Sequence, residues 1–322
     1  MKRYQPILLY PAYRSGLNTP WGGDGLKTCF GKDIPDPHTG ESLEMSVIPG
    51  LNSVDADGQP LESLLARDWA GMAGTQVEQP FPLLLKLIDA RDRLSVQVHP
   101  DDAYAQRVEN KLGKTEAWAI LQAAPDAKLV YGVKEGTTRE TLAAAARNGE
   151  KIEELLRFVP VHPGDVFYIP AGTVHAIGQG ILLYEIQQSS DVTYRFYDWN
   201  RRDQHGNLRP LHIKQALDVT RVDYQPEAIV PQIVADPHCQ REILLDTPYF
   251  GLQRLSDCRD VPFTGQITHF SVLTALTEGT LQLTDTKEKI AFPAGQTVFI
   301  PADCAPFTLN CGQCLIAAPA HK

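Results

Sequence analysis

The chain has 322 residues, 43% hydrophobic and 21% charged, with a net charge of −9, so it can bury a core in one large domain or two modest ones. The acidic balance argues against nucleic acid or an anionic membrane as partner, and an anionic substrate would need a local basic pocket. No apolar run reaches the ~18 residues that span a bilayer.

Residues 1–58 are rich in Pro and Gly and carry short apolar pieces at Ile7–Tyr10 and Leu43–Ile48, which predicts irregular β structure. Ile7–Tyr10 is too short for the core of a signal peptide, so a cytoplasmic location with reduced cysteines is expected. Trp21-Gly22-Gly23 reads as a turn beside a large aromatic. Leu61–Met72 places Leu61, Leu64, Leu65 and Trp69 on one side of a helix. Phe81–Leu87 is an apolar run broken only by Lys86, the pattern of a buried strand. Asp101-Asp102 read as the cap and first turn of a helix over Ala103–Asn110. Thr115–Gln122 alternates, with Glu116, Trp118 and Ile120 on one face. Thr138–Asn148 is an Ala-rich helix closed by Gly149, and Glu150–Phe158 continues as a second short helix. Helical material thus clusters between about 60 and 158, inside a β framework.

From Val161 strands and turns dominate, with strands at Val166–Ile169, Ile181–Gln187 and Thr193–Tyr197 and one or two helical turns at His212–Val219. Asp223–Pro237 is less periodic and reads as a linker. Gly164-Asp-Val-Phe-Tyr-Ile-Pro-Ala171 aligns without gaps with Gly295-Gln-Thr-Val-Phe-Ile-Pro-Ala302, a register that sets His175 opposite Pro306. Such a degenerate repeat predicts two small β-barrels in tandem, the first active and the second structural and without metal. Cys311-Gly-Gln-Cys314 has redox or zinc-like spacing, but no second pair and no βαβ pattern accompany it, so two small residues in a late strand are expected.

Leu94-Ser95-Val96-Gln97-Val98-His99-Pro100 is the stretch that points to chemistry. Its valines alternate with polar residues, which places Ser95, Gln97 and His99 on one strand face. Polar side chains on a buried face must be hydrogen-bonded, metal-bound or exposed in a pocket. Gln97, His99, Glu116 and His175 make a mixed N/O set that suits a catalytic zinc with an open position. The competing reading makes each histidine a satisfied core or surface residue. An unpaired Lys86 would be costly in its apolar strand, so it is expected to face a pocket or a carboxylate. For Lys114, Glu185, Asp191 and Arg195 the alternative is a surface salt bridge. His38, His162, His205, His212, His238, His269 and His321 follow no pattern and are read as structural or solvated.

Leu84-Leu-Lys-Leu-Ile-Asp-Ala90, Leu94-Ser-Val-Gln-Val-His-Pro-Asp-Asp102, Gly113-Lys-Thr-Glu-Ala-Trp118, Pro170-Ala-Gly-Thr-Val-His-Ala176 and Ser190-Asp-Val-Thr-Tyr-Arg-Phe-Tyr-Asp-Trp199 occur in that order. Together they resemble the type I mannose-6-phosphate isomerases of the cupin superfamily, in their short bacterial branch. The resemblance implies a mainly β fold of two cupin-like barrels (jelly rolls) in tandem with a helical insertion in the N-terminal half. Residues 1–225 would be the catalytic domain and 238–322 a degenerate one without metal. It implies one Zn2+ per chain on Gln97, His99, Glu116 and His175. It also implies a catalytic Arg195 with Asp191 fixing its side chain, Lys114 in the reaction, and Lys86, Ser95, Glu185, Glu41 and Trp21 at the substrate. The longer enzymes carry His-Lys-Pro-Glu where this chain has Gly113-Lys114-Thr115-Glu116, so only the Lys and the Glu carry over. Many relatives have Trp where Leu43 stands.

The implied reaction is the interconversion of mannose 6-phosphate and fructose 6-phosphate through a cis-enediol, with Lys114, Glu185 or a zinc-bound hydroxide as the base. The partner would be a small sugar phosphate, with no nucleic acid and no membrane, and the protein a monomer or homodimer. The alternatives are an isomerase or epimerase of another sugar phosphate, a non-catalytic sugar-binding barrel, and a metal-dependent oxygenase. Metal analysis beside an assay with mannose 6-phosphate separates them.

Overall fold

The computed structural model describes residues 3–147, 149–202 and 205–320; Asn148 and His321 lie outside the described residues. The protein is mainly β. A seven-stranded antiparallel sheet runs in the order Ala228–Ile229, Val166–Ile169, Glu116–Ala123, Ile181–Gln188, Leu83–Ala90, Thr39–Met45, Ala12–Ser15. A five-stranded sheet contains Leu156–Pro160, Lys128–Val133, His175–Ala176, Val96–Val98 and Tyr194–Tyr197. A nine-stranded sheet holds the C-terminal strands. All three are open, and none closes into a barrel among the described residues.

Period-two alternation makes the seven-stranded sheet a middle layer. Leu83, Leu85, Leu87, Tyr184 and Ile186 face one core, shared with Leu252, Val272, Phe299 and Leu315 of the nine-stranded sheet. Ile88, Trp118, Ile120 and Leu183 face the other, shared with Leu129, Tyr131 and Ile177. Lys86, Glu116 and Glu185 sit at the same parity as that second set, so three charges enter the space between the seven- and five-stranded sheets. Helices Arg139–Arg147 and Ile213–Val219 cover the outer face of the five-stranded sheet through Leu142, Ala145 and Ala216. Among the described residues no helix is long and apolar enough to cross a membrane.

Several elements depart from the sequence reading. Ile7–Leu9 pairs with Thr297–Ile300 at the edge of the nine-stranded sheet, although the sequence kept it with the first unit; an apolar triplet between Pro6 and Pro11 extends the nearest open edge. Leu61–Met72 splits into Leu61–Arg67 and Trp69–Met72, because Asp68 leaves the helical region and its side chain accepts from Gly71 N. In place of a helix over Glu150–Phe158 the chain makes a 3-10 turn to Leu155 and then the strand Leu156–Pro160, as Phe158 and Val159 prefer. A short helix at Gly25–Phe30, closed by Gly31 at φ 63°, was not expected. Asp101 caps Asp102–Glu109 by accepting from Tyr104 N at 2.8 Å. In both halves of the repeat a left-handed glycine, Gly164 at φ 96° and Gly295 at φ 79°, precedes the strand.

Candidate active site

Register brings the site together. Gln97 lies directly opposite both His175 and Arg195 in the five-stranded sheet, so groups far apart in sequence meet along one line. Across the gap Lys86 pairs with Glu185, and Glu185 with Trp118. Glu116 stands on the same face as Trp118, two residues earlier.

His99 and His175 each turn Nδ1 to a backbone carbonyl, Val192 O and Thr173 O, both at 2.9 Å. A donating Nδ1–H sets the tautomer and aims each Nε2 lone pair inward. There His99 Nε2 lies 3.5 Å from Glu116 Oε2, and His175 Nε2 lies 3.3 Å from Oε1. The ligand atoms of the three residues lie within 4.8 Å of one another, and all three are buried. Lys114 Nζ stands 2.9 Å from Glu116 Oε2, yet neither carboxylate oxygen has an aligned hydrogen bond. A buried carboxylate left so, facing two imidazole lone pairs, is an incomplete polar network that a cation completes. Gln97 Nε2 lies 3.3 Å from His175 Nε2, and the opposite amide rotamer presents Oε1 at the same place.

Electrostatics favour the protonation states a metal needs. Burial, aided by the Lys114 charge, pushes His99 down to about 3. Burial also lowers His175, with Glu116 opposing. For Glu116 burial acts upward, but the adjacent Lys114 charge is the strongest influence opposing it, and the carboxyl is held well below its usual range. Two neutral imidazoles and one carboxylate result.

Beside this set opens a cavity of about 320 Å³, with Gln97 and Lys114 among its lining residues. On one side Lys86 Nζ lies 3.0 Å from Glu185 Oε1 and 3.8 Å from Glu41 Oε2, and Trp118 Nε1 donates to Glu185 Oε2 at 2.9 Å. On another, Arg195 Nε donates to Ser95 Oγ at 3.2 Å and Nη1 to Pro210 O at 3.0 Å. Trp21 and Asp191 also line the cavity. Every substrate and catalytic position expected from the sequence therefore touches one space, with His99, Glu116 and His175 buried next to it.

One expected contact is corrected. Asp191 does not hold Arg195; its Oδ1 lies 2.6 Å from Lys111 Nζ. Asp191 precedes the strand Tyr194–Tyr197 and faces the loop after Asp102–Glu109, whereas Arg195 turns toward Ser95. Two cations were missed. Arg14 lies opposite Glu41 in register, 3.4 Å from it, and Arg209 forks onto Asp198 at 2.6 and 2.9 Å; both line the cavity. Arg14 lies on an edge strand and Arg209 in an irregular loop, and neither carries a local pattern that marks a pocket.

A family model described as phosphomannose isomerase type I, catalytic domain, matches residues 13–131. The chain is 38% identical over 285 residues to a mannose-6-phosphate isomerase of Streptococcus mutans, covering 87% of this chain and 88% of the relative. It is 44% identical over 227 residues to mannose-6-phosphate isomerase ManA of Bacillus subtilis, covering 69% and 70%. A crystal structure of the mannose 6-phosphate isomerase from Bacillus subtilis superposes with a TM-score of 0.88 at 31% identity, over 98% of this chain and 99% of that one. With the five sequence blocks gathered around one cavity and relatives matching along most of its length, the chain belongs to the type I phosphomannose isomerase family.

Proposed function

We propose that this chain is a zinc-dependent aldose–ketose isomerase that interconverts mannose 6-phosphate and fructose 6-phosphate. The observation that carries the reading is the convergence of His99, Glu116 and His175, with unsatisfied Glu116 oxygens, beside a cavity lined by Arg195 and Arg209. The names of the relatives support the substrate. His99, Glu116 and His175 would hold one zinc per chain, with Gln97 as a fourth, weaker ligand; imidazole and carboxylate donors suit this metal. When bound, zinc supplies a Lewis acid for the sugar oxygens.

The chain's own residues do the rest. Lys114 reaches the cavity and lies 3.1 Å from His99 Nε2, and we assign the transfer between C1 and C2 to its amine in the uncharged form, which takes the C2 proton to become an ammonium and then returns it to C1. From the aldose, C2 loses its proton while the C1 carbonyl oxygen gains one, giving the cis-enediol. C1 is then protonated and the C2 hydroxyl releases its proton, giving the ketose. Arg195 stabilises the negative charge that develops on oxygen between these states, and Ser95 fixes its guanidinium. Arg209 and Arg14 add positive charge for the phosphate. Glu185, committed to Lys86 and Trp118, orients rather than abstracts. Lys86, Glu41 and Trp21 complete the substrate wall, and Asp191 with Lys111 stands at its edge.

We assign residues 1–225 to the catalytic unit, with helical segments at about 60–158, and 238–322 to a degenerate one; each is read as a jelly-roll-like sandwich. The unpaired state of all six cysteines suits a reducing cytoplasm, and the protein is read as a monomer or homodimer. Chelator-dialysed protein should lose turnover of mannose 6-phosphate and regain it with zinc. Full activity in metal-free protein would reject the metal assignment, and turnover of a different sugar phosphate alone would favour the alternative isomerase.

A further inference from the structure

The described residues hold a second convergence of metal-ligating groups. The sulfurs of Cys258, Cys311 and Cys314 all lie within 4.8 Å of one another, in a core of the nine-stranded C-terminal sheet that is separate from the core beside the candidate active site. Cys258 and Cys311 are direct partners across the strands Phe250–Phe263 and Phe307–Pro319. Cys314 follows Cys311 by three residues, and strict alternation would turn it to the opposite face. It is not turned away: Leu309 and Cys311, and then Cys314 and Ile316, all belong to one core.

The parity change has visible anchors. Gln313 N donates to Thr277 Oγ1 at 2.9 Å, and its carbonyl accepts from both Leu276 N and Thr277 N at 2.9 and 3.2 Å, so two residues face one. On the neighbouring strand Cys258 is flanked by Asp257 and Asp260, both left-handed at φ 54° and 51°, conformations that non-glycine residues adopt at a cost. The segments on both sides of Phe307–Pro319 are thus irregular where the sulfurs converge: Leu276–Thr277 on one, and on the other the register shift between Cys258 and Val261. Cys239 is half-buried against the same core. Its loop is tied to that bend: Arg259 N donates to His238 O at 2.9 Å, and His238 Nδ1 lies 3.3 Å from Arg259 O.

Thiols alone, with no imidazole or carboxylate among them, select a soft or borderline cation. Zinc bonded to sulfur at about 2.3 Å holds tetrahedral sulfurs about 3.8 Å apart, a spacing inside the 4.8 Å within which all three sulfurs lie. We propose that Cys258, Cys311 and Cys314, with Cys239 as fourth ligand, form a second, structural metal site, with zinc as its ordinary occupant, that ties two long strands and the loop before Gln240–Asp246 together. Each coordinating thiol releases its proton to solvent as its bond to the metal forms, and nothing is oxidised. The proposal replaces the sequence expectation of a metal-free C-terminal unit in which Cys311 and Cys314 are only small core residues.

Cobalt(II) tests it without reference to activity. Reduced, full-length protein loaded anaerobically with Co2+ should show near-ultraviolet sulfur-to-cobalt charge-transfer absorption. The His99–Glu116–His175 set has no sulfur, so the band should persist undiminished in His99→Ala. It should be lost in Cys258→Ser and Cys314→Ser and weakened in Cys239→Ser, with circular dichroism verifying that each variant is folded. Native mass spectrometry of His99→Ala as isolated, which needs no cysteine change, should find one zinc. Absence of the band in the wild type, its survival in Cys258→Ser, or a metal-free mass two hydrogens light from a disulfide would each overturn the proposal.

Discussion

The stretches 164–175 and 295–306 share a left-handed glycine, a four-residue strand and a Pro-Ala exit, but they lead to different interiors. In the first, Ile169 pairs with Glu116 and the chain goes on to His175. In the second, Ile300 pairs with Ser271 and the equivalent of the histidine is Pro306. Two potential ligands are therefore missing from the second copy, one visible in the repeat and one only in strand pairing. Around that position its core is filled by Leu273, Val298, Ile300, Phe307 and Leu309, apolar groups that need no partners, while the cysteines proposed above as a metal site belong to other strand positions, Cys258 and the paired Cys311 with Cys314. The comparison teaches that the scaffold does not make the centre. A metal site needs several polar side chains at matching register, and once two are gone an apolar core is the cheaper filling.

Glu44 and Glu116 make the same point within one sheet. Both carboxylates are fully buried. Glu44 receives Lys32 Nζ at 2.8 Å, Ser42 Oγ at 2.6 Å and Thr297 Oγ1 at 3.0 Å, and so closes a network that joins the two halves. Glu116 has no aligned hydrogen bond. The satisfied carboxylate is structural, and the unsatisfied one is the carboxylate of the proposed metal site.

The largest separation between the two copies should come from Glu116→Gln. Loss of a charged ligand should empty the His99–Glu116–His175 site and lower kcat by at least about 10³-fold, checked by metal content and turnover of the same sample. Phe299→Ala should show the opposite signature. Phe299 is fully buried and stacks on Phe270 at 5.2 Å, so stability should fall by roughly 3–5 kcal/mol while kcat per folded molecule holds. A denaturant titration beside the assay separates the two; an equal loss of kcat would show that the C-terminal sheet reaches into catalysis.

Arg195→Lys keeps the charge and loses the planar fork. Its kcat should fall by roughly 10²–10³-fold with little change in KM, by analogy with removal of one oxyanion donor, and metal content should not move. A rise in KM alone would assign Arg195 to the phosphate instead. Acid should act on the first unit in metal-free protein. His99 titrates at about 3 in the fold against 6.5 in the unfolded chain, so between these values the unfolded state binds more protons. Stability is complete above pH 6.5 and falls progressively toward pH 3, with a slope of up to about 1.4 kcal/mol per pH unit from this group. His175 shifts in the same direction, so His99→Gln should flatten the slope only in part, as read from unfolding midpoints across pH. The smallest effect should be that of Pro306→Ala, with kcat and metal content at the His99–Glu116–His175 site within two-fold or so of wild type, since no ligand set exists at that register.

Much of this was legible in the chain. Alternation in Leu94–Pro100 and Thr115–Gln122 identified which residues share a face, the apolar run Phe81–Leu87 marked a buried strand, Asp101 announced its helix, and the gapless repeat marked equivalent strands. These signals are local, because side-chain direction and capping depend on neighbours a few residues away. The five blocks carried the candidate ligands and most of the cavity for the same reason: each is a short stretch whose residue types are read without knowing what it touches. What the chain left open is which faces meet. Asp191 was expected to fix Arg195, and only packing shows that it meets Lys111 instead. Arg14, Arg209 and the edge strand Ile7–Leu9 found their places through long-range pairing, and Cys258 joined Cys311 and Cys314 across more than fifty residues of intervening chain. Periodicity specifies a direction for each side chain, but a site is a meeting of directions from several strands, and register and sheet stacking alone decide that meeting.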